Sequence, residues 1–99
     1  MKLVAIYAEP KDPQGFEEMY FNMHLPLIKK VPGLQEVQVT KIDRVVVGYK
    51  APYMIAQMTF ADEDAMKAAM RSPEMAAAGE NLDSFAKGLY TLCYAQEKE

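Results

Sequence analysis

Tyr20 and His24 stand four residues apart in the stretch YFNMHLPL, residues 20–27, and His24 is the only histidine in the chain. An imidazole can give or take a proton near neutral pH, and a phenol can donate a hydrogen bond to whatever lies beside it. Residues four apart on a helix stack on one side, so the two groups are expected to point the same way. Burial disfavours the imidazolium, which makes a neutral, proton-accepting His24 the expected state. Pro26 has no amide hydrogen for the Asn22 carbonyl, and its ring pushes a helix open, so a polar notch is expected just beyond His24. These residue types suit general acid–base chemistry. An inward histidine bonded to a backbone carbonyl would present the same pattern, and residue types alone leave site and core equally open.

Other chemistries find less support. The five glycines are isolated at positions 15, 33, 48, 79 and 88, which gives neither a dinucleotide fingerprint nor a phosphate loop. No cofactor is therefore expected. One histidine and one cysteine cannot build a structural zinc site within one chain, so no metal is expected either. Cys93 lies in an apolar stretch and reads as a core residue rather than a nucleophile. Eight methionines and six tyrosines suit a pocket with adaptable apolar walls and polar tips. Tyr7, Met23, Tyr49, Tyr53 and Met58 are its candidate lining, by inference from residue type.

The elements that must hold these groups are few. KLVAIYA, residues 2–8, reads as a first strand with two apolar faces, Leu3, Ala5, Tyr7 and Val4, Ile6, Ala8. Asp12 and Pro13 start a long helix, since the carboxylate can accept from orphan amides and proline fits the first helical position. Its apolar stripe is expected to be Phe16, Met19, Tyr20, Met23 and Leu27, and Pro32-Gly33 stops it. Residues 34–43 alternate as a second strand, with Val45–Val47 as a candidate extension, and a third strand follows at about 53–60. Residues 61–70 predict a second helix, and Ser72 caps a helix restarting at Pro73 whose stripe is Met75, Ala78, Leu82 and Phe85. Residues 89–95 form the last strand, and 96–99 a solvated tail.

Strand, helix, two strands, a helix pair and a strand make an α+β domain, the ferredoxin-like βαββαβ arrangement of a four-stranded antiparallel sheet with helices on one face. Ninety-nine residues fit one domain spanning 1–99. One helical layer covers one sheet face, so a second copy is the expected cover for the other, giving a homodimer. Eleven basic against fourteen acidic residues, for a net charge of −3, give no clustered basic footprint for nucleic acid. The longest apolar run, LVAIYA at 3–8, is far short of the roughly 18 residues that span a bilayer, and it lacks the flanks of a signal peptide. A cytoplasmic protein with no membrane partner is the expectation.

Phe16, Tyr20, His24, Pro26 and Leu27, followed by Pro32-Gly33-Leu34, resemble the signature of the EthD-like family of the dimeric α/β-barrel superfamily. Phe60-Ala61-Asp62, Ser72-Pro73-Glu74 and Leu82-Asp83-Ser84-Phe85 fit the second half more loosely. The resemblance implies two ferredoxin-like subunits joined through their sheets into a barrel, with a ligand cavity between helices and sheet in each. It implies an oxidoreductase, of reductase or cofactor-independent monooxygenase type, acting on a small apolar or aromatic compound. Tyr20 and His24 match the motif and carry the implied catalytic roles. The alternatives are a lactone isomerase-like enzyme, a non-catalytic ligand-binding or stress-response module, and an accessory subunit with a vestigial pocket.

Overall fold

Alternation in the first strand decides which way the sheet faces. The computed structural model describes residues 1–99, and in it β1 (Lys2–Tyr7) buries Leu3, Ala5 and Tyr7 on one side while Val4 and Ile6 stay half-exposed on the other. Three further strands, β2 (Glu36–Lys41), β3 (Met54–Thr59) and β4 (Tyr90–Ala95), complete a sheet ordered β2-β3-β1-β4 with every neighbouring pair antiparallel. The registers place Ala5 opposite both Ala56 and Leu92. Met54, Ala56 and Met58 therefore join Leu3, Ala5 and Tyr7 on the covered face.

The helical layer begins where the sequence placed it. The Asp12 carboxylate accepts the Gly15 amide at 3.1 Å, and Pro13 occupies the first turn of α1 (Pro13–Met19). The rod then changes pitch. Tyr20–His24 form a π-helical turn in which the Leu25 amide reaches back to the Tyr20 carbonyl, before α2 (Leu25–Ile28) resumes the ordinary pitch. The widening expected just beyond His24 thus falls on Tyr20–His24 themselves. Pro26 has no amide to offer, and one widened turn re-pairs the backbone ahead of it.

The same turn corrects the expected apolar stripe. The buried residues are Phe16, Tyr20, His24 and Ile28, spaced by four throughout, whereas Met19 is more exposed and Met23 is 51% exposed. Steps of four in an α-helix drift by about 40° each. The wider turn takes up part of that drift and keeps the four on one line.

Past the Pro32-Gly33 turn, β2 and β3 are shorter than the alternation suggested, and Val45–Val47 do not extend β2. They lie in the connection 42–53, where Val46 is 91% exposed. The helix pair is α3 (Glu63–Met70) and α4 (Pro73–Ala86). Asp62 caps the first through the Ala65 amide at 2.8 Å. Ser72 joins them: its Oγ accepts the Met75 amide at 3.1 Å and donates to the Ala69 carbonyl at 2.6 Å. The core lies between these helices and the sheet, with Phe60, Met66, Ala69, Ala78, Leu82 and Ala86 closing it.

The opposite sheet face has no helices on it. Val4, Ile6, Ile55 and Cys93 form its half-buried centre, with Gln38, Thr40, Gln57 and Thr91 around them. Cys93, expected in the core, lies instead on this open face, because it pairs with Val4 rather than with a buried residue. No helix is long and apolar enough to cross a membrane. Because Ser72 satisfies groups on two helices at once, Ser72→Ala is expected to cost about 1 kcal/mol and lower the melting temperature by about 4–8 °C in thermal denaturation.

Candidate functional site

Four aromatic rings fix the imidazole. Tyr7 meets Phe16 edge-on at a centroid distance of 5.6 Å and Tyr20 at 5.4 Å. Phe16 stacks on Tyr20 at 5.9 Å, and Tyr20 lies 5.2 Å from the His24 ring. Phe85 of α4 touches both Phe16, at 5.7 Å, and His24, at 6.4 Å. Edge-to-face contacts of this kind each add of order 1 kcal/mol beyond the area they bury, so the column is stiff.

His24 is only 3% exposed, yet its Nδ1 has no hydrogen-bond partner. The polar groups nearest the ring come from α4, the Ala78 carbonyl and the Asn81 side chain. Asn81 Oδ1 is likewise buried without a partner. Asn81 nevertheless lies near enough to raise the imidazole's proton affinity. Burial holds the His24 pKa below the ordinary histidine value, against the smaller opposing pull of Ala78 and Asn81. Burial likewise raises the Tyr7 and Tyr20 phenols, and Tyr20 raises Tyr7 further, so both keep their protons.

His24 borders a cavity of about 70 Å³ between the layers. Tyr7 and Leu3 of β1, Met58 of β3, Tyr90 and Leu92 of β4, and Met75, Ala78, Gly79 and Leu82 of α4 share its wall. Four surface depressions, of about 540, 530, 430 and 280 Å³, are larger, but none of them reaches His24. Chemistry rather than size therefore singles out the small cavity.

Of the residues singled out in the sequence, His24, Tyr7 and Met58 line this space, and Tyr20 backs it by holding both Tyr7 and His24. Three others are not there. Tyr49 is 100% exposed on the connection between β2 and β3, and Met23 points outward because the π turn gives the inner line to His24. Tyr53 is half-buried elsewhere: its hydroxyl donates to Glu17, whose carboxylate also pairs with Lys41 at 2.9 Å, and the Lys41 cation sits 5.4 Å from the Tyr53 ring centre. That cluster ties the start of β3 and the end of β2 to α1. Asn81 and Gly79 were missed. The available signal for Asn81 was a lone amide three residues past Ala78 and four before Phe85, on the flank of the apolar stripe. No three His, Cys, Asp or Glu side chains converge as a metal-binding group.

The sheet order, the helices on one face and the cavity between the layers define a ferredoxin-like α+β domain. The chain belongs to the EthD family, whose domain model matches residues 8–88. An EthD family protein from Bacillus halodurans is 40% identical, over 97% of this chain and 96% of that one, and its crystal structure superposes with a TM-score of 0.91. An 11.0 kDa protein from the thcB-thcC intergenic region of Rhodococcus erythropolis is 28% identical over 98% of this chain and 94% of its own length. Two more distant structures share the fold. One is a dimeric ferredoxin-like protein from Jannaschia, 14% identical over 95% and 97% of the two chains, with a TM-score of 0.69. The other is SnoaB, a cofactor-independent oxygenase from Streptomyces nogalater, 16% identical over 98% and 93%, with a TM-score of 0.65.

A histidine buried in its neutral form makes folding pH-dependent in one direction. The folded-state pKa lies below the unfolded value of about 6.5. His24 thus contributes fully above that pH, and stability falls as pH drops through the folded value, because the unfolded chain takes up the proton first. Denaturant midpoints are expected to fall below pH 6.5, and His24→Gln to remove that part of the fall. The imidazole signals of this single histidine, followed by NMR, are expected to titrate below 6.5.

Proposed function

We propose that this protein is an enzyme of oxidoreductase type, working as a homodimer, with His24 as general base or acid on a small apolar or aromatic compound bearing a hydroxyl or carbonyl group. The observation that carries the reading is a buried, neutral imidazole at the wall of an otherwise apolar cavity, with a ring nitrogen that the protein leaves unsatisfied. Core histidines ordinarily have their buried nitrogens bonded. Tyr7, on the cavity wall, keeps its proton at neutral pH and is suited as a donor to a developing oxyanion, with Tyr20 holding it from behind. Proton abstraction from a hydroxylated ring yields an electron-rich anion. Oxygenation without a cofactor would then balance with the substrate as reductant, a CH₂ group and dioxygen giving a carbonyl and water. The oxygenase activity of SnoaB, a distant relation in fold, supports this branch over the reductase one.

Shape supports the dimer. The subunit is a slab of 36 × 34 × 19 Å that exposes 6707 Å², against about 5,700 Å² for a compact monomer of 11.2 kDa. The excess of about 1,000 Å² compares with the roughly 800 Å² that each partner buries in a standard interface. Val4, Ile6 and Ile55 on the open face, with the exposed Val46 and Val47, are the side chains that a second copy would cover. The dimeric state of the Jannaschia protein points the same way.

A second reading, sequestration of a ligand without chemistry, is favoured by the scarcity of polar groups in the cavity wall, where His24 is joined only by the phenols of Tyr7 and Tyr90. Turnover separates the two. His24→Ala is expected to lower kcat by about 10²–10⁴-fold with the dimer mass unchanged; activity surviving that substitution would remove the catalytic role. Light scattering at micromolar concentration is expected to give twice the chain mass, and Ile6→Lys, at the centre of the open face, to give the monomer.

A further inference from the structure

Gly79 occupies the middle of α4, where glycine is the poorest residue after proline. Its backbone is helical and needs no glycine, and a Cβ built on it would meet nothing within 4 Å. Neither conformation nor packing explains its presence. Gly79 does border the His24 cavity, together with Leu92.

The spacing shows where on the cavity this pair lies. The Tyr90 hydroxyl donates to Asp83 at 2.7 Å and fastens α4 to β4. Four residues earlier, about 6 Å back along α4, stands Gly79. Two residues further along β4, about 6.7 Å on, stands Leu92, since the two elements run in opposite directions. At this second position the glycine offers no side chain, and Leu92, on the helix-facing side of the sheet, is left 44% exposed. The cavity itself holds only about 70 Å³. That is room for about two water molecules at roughly 30 Å³ each, and about half of the 150 Å³ known to hold benzene.

We propose that Gly79 and Leu92 frame the entrance to the His24 cavity, and that this entrance admits the narrow polar end of an otherwise apolar ligand, such as the hydroxyl-bearing edge of a phenol. The inference rests on the reading of the His24 cavity as a ligand site. The hydroxyl passes between α4 and β4 to the imidazole, while the bulk of the ligand remains against Leu92, Met75 and the bare backbone of Gly79. Gly79 is then a specificity-determining residue: any side chain placed there occupies the ligand's path. A phenol with substituents flanking the hydroxyl is excluded, and one substituted at the far end is accepted.

The test uses phenol, 4-propylphenol and 2,6-dimethylphenol as probes, with the His24 imidazole signals and Leu92 methyl signals followed by NMR. In the unaltered protein both sets of signals are expected to shift saturably with phenol and 4-propylphenol, and 2,6-dimethylphenol to bind at least ten-fold more weakly. Gly79→Leu introduces a good helix former and is expected to weaken 4-propylphenol at least ten-fold. If that variant binds 4-propylphenol with unchanged affinity at His24, the entrance lies elsewhere and the proposal falls, while the ligand-site reading stands. If no phenol shifts His24 in the unaltered protein, both fall. Leu92→Ala, at a half-exposed strand position, tests the entrance independently should Gly79→Leu fold poorly. It is expected to narrow the gap between 4-propylphenol and 2,6-dimethylphenol, and an unchanged gap overturns the proposal.

Discussion

The fit of one line of side chains, Phe16, Tyr20, His24 and Ile28, onto the buried face of the sheet is the constraint from which the rest of the molecule follows. The face it meets is narrow at Ala5 and Ala56 and bulky at Tyr7, so the helical rod can approach closely only while that line stays straight. A uniform α-helix would rotate the line by about 40° at each step and carry Ile28 around the side of the rod. The π turn at Tyr20–His24 counters the drift, and Pro26 fixes where it occurs by withholding an amide just downstream. The backbone irregularity and the inward histidine are thus one device. Widening the helix is what lets His24, rather than Met23, face the sheet.

The chemistry of the site is a consequence of the same packing. An imidazole pressed between Tyr20 and Phe85 cannot keep a hydration shell, so its neutral form prevails, and the adjoining phenols are held protonated by the same exclusion of water. The site accordingly holds a neutral imidazole, able to accept a proton, beside phenols that keep theirs. That asymmetry arises chiefly from burial and requires no charged partner. The charged cluster of Glu17, Lys41 and Tyr53 belongs to the outer side of α1, where it holds element ends together without entering the cavity.

Much of this was legible in the sequence, because local rules agreed with the fold. Asp12-Pro13, Asp62 and Ser72 start helices for reasons written in their own side chains, and the alternation of Leu3, Ala5 and Tyr7 names the covered face. The order of elements then left few topologies. Periodicity misled at Met23 and Met19, since it assumes one pitch throughout and a proline two residues past His24 changes that pitch. Val45–Val47 have the residue types of a strand but no neighbour to pair with, so they remain in a connection. Tyr49 is an aromatic residue whose burial no local pattern could have decided. Asn81 and Gly79 were invisible for a different reason: their significance depends on which flank of α4 faces His24 and which faces β4, a matter of tertiary placement alone.

The limits of a 99-residue chain also bear on access to the site. Two helical rods cover the two central strands well and the edges poorly, so Leu92 and Tyr94 on β4 remain exposed on the very face that the helices otherwise seal. The back of the sheet is open for the same reason, having no helical layer at all. The two deficits differ in what they invite. The back is broad, flat and mixed in polarity, which suits a protein surface of the same kind. The gap along β4 is narrow, apolar and ends at a lone imidazole, which suits a small molecule presented end-on. A larger side chain at position 79 would fill that gap and strengthen the helix together, so on the proposed reading the glycine keeps the opening at a cost in helix stability.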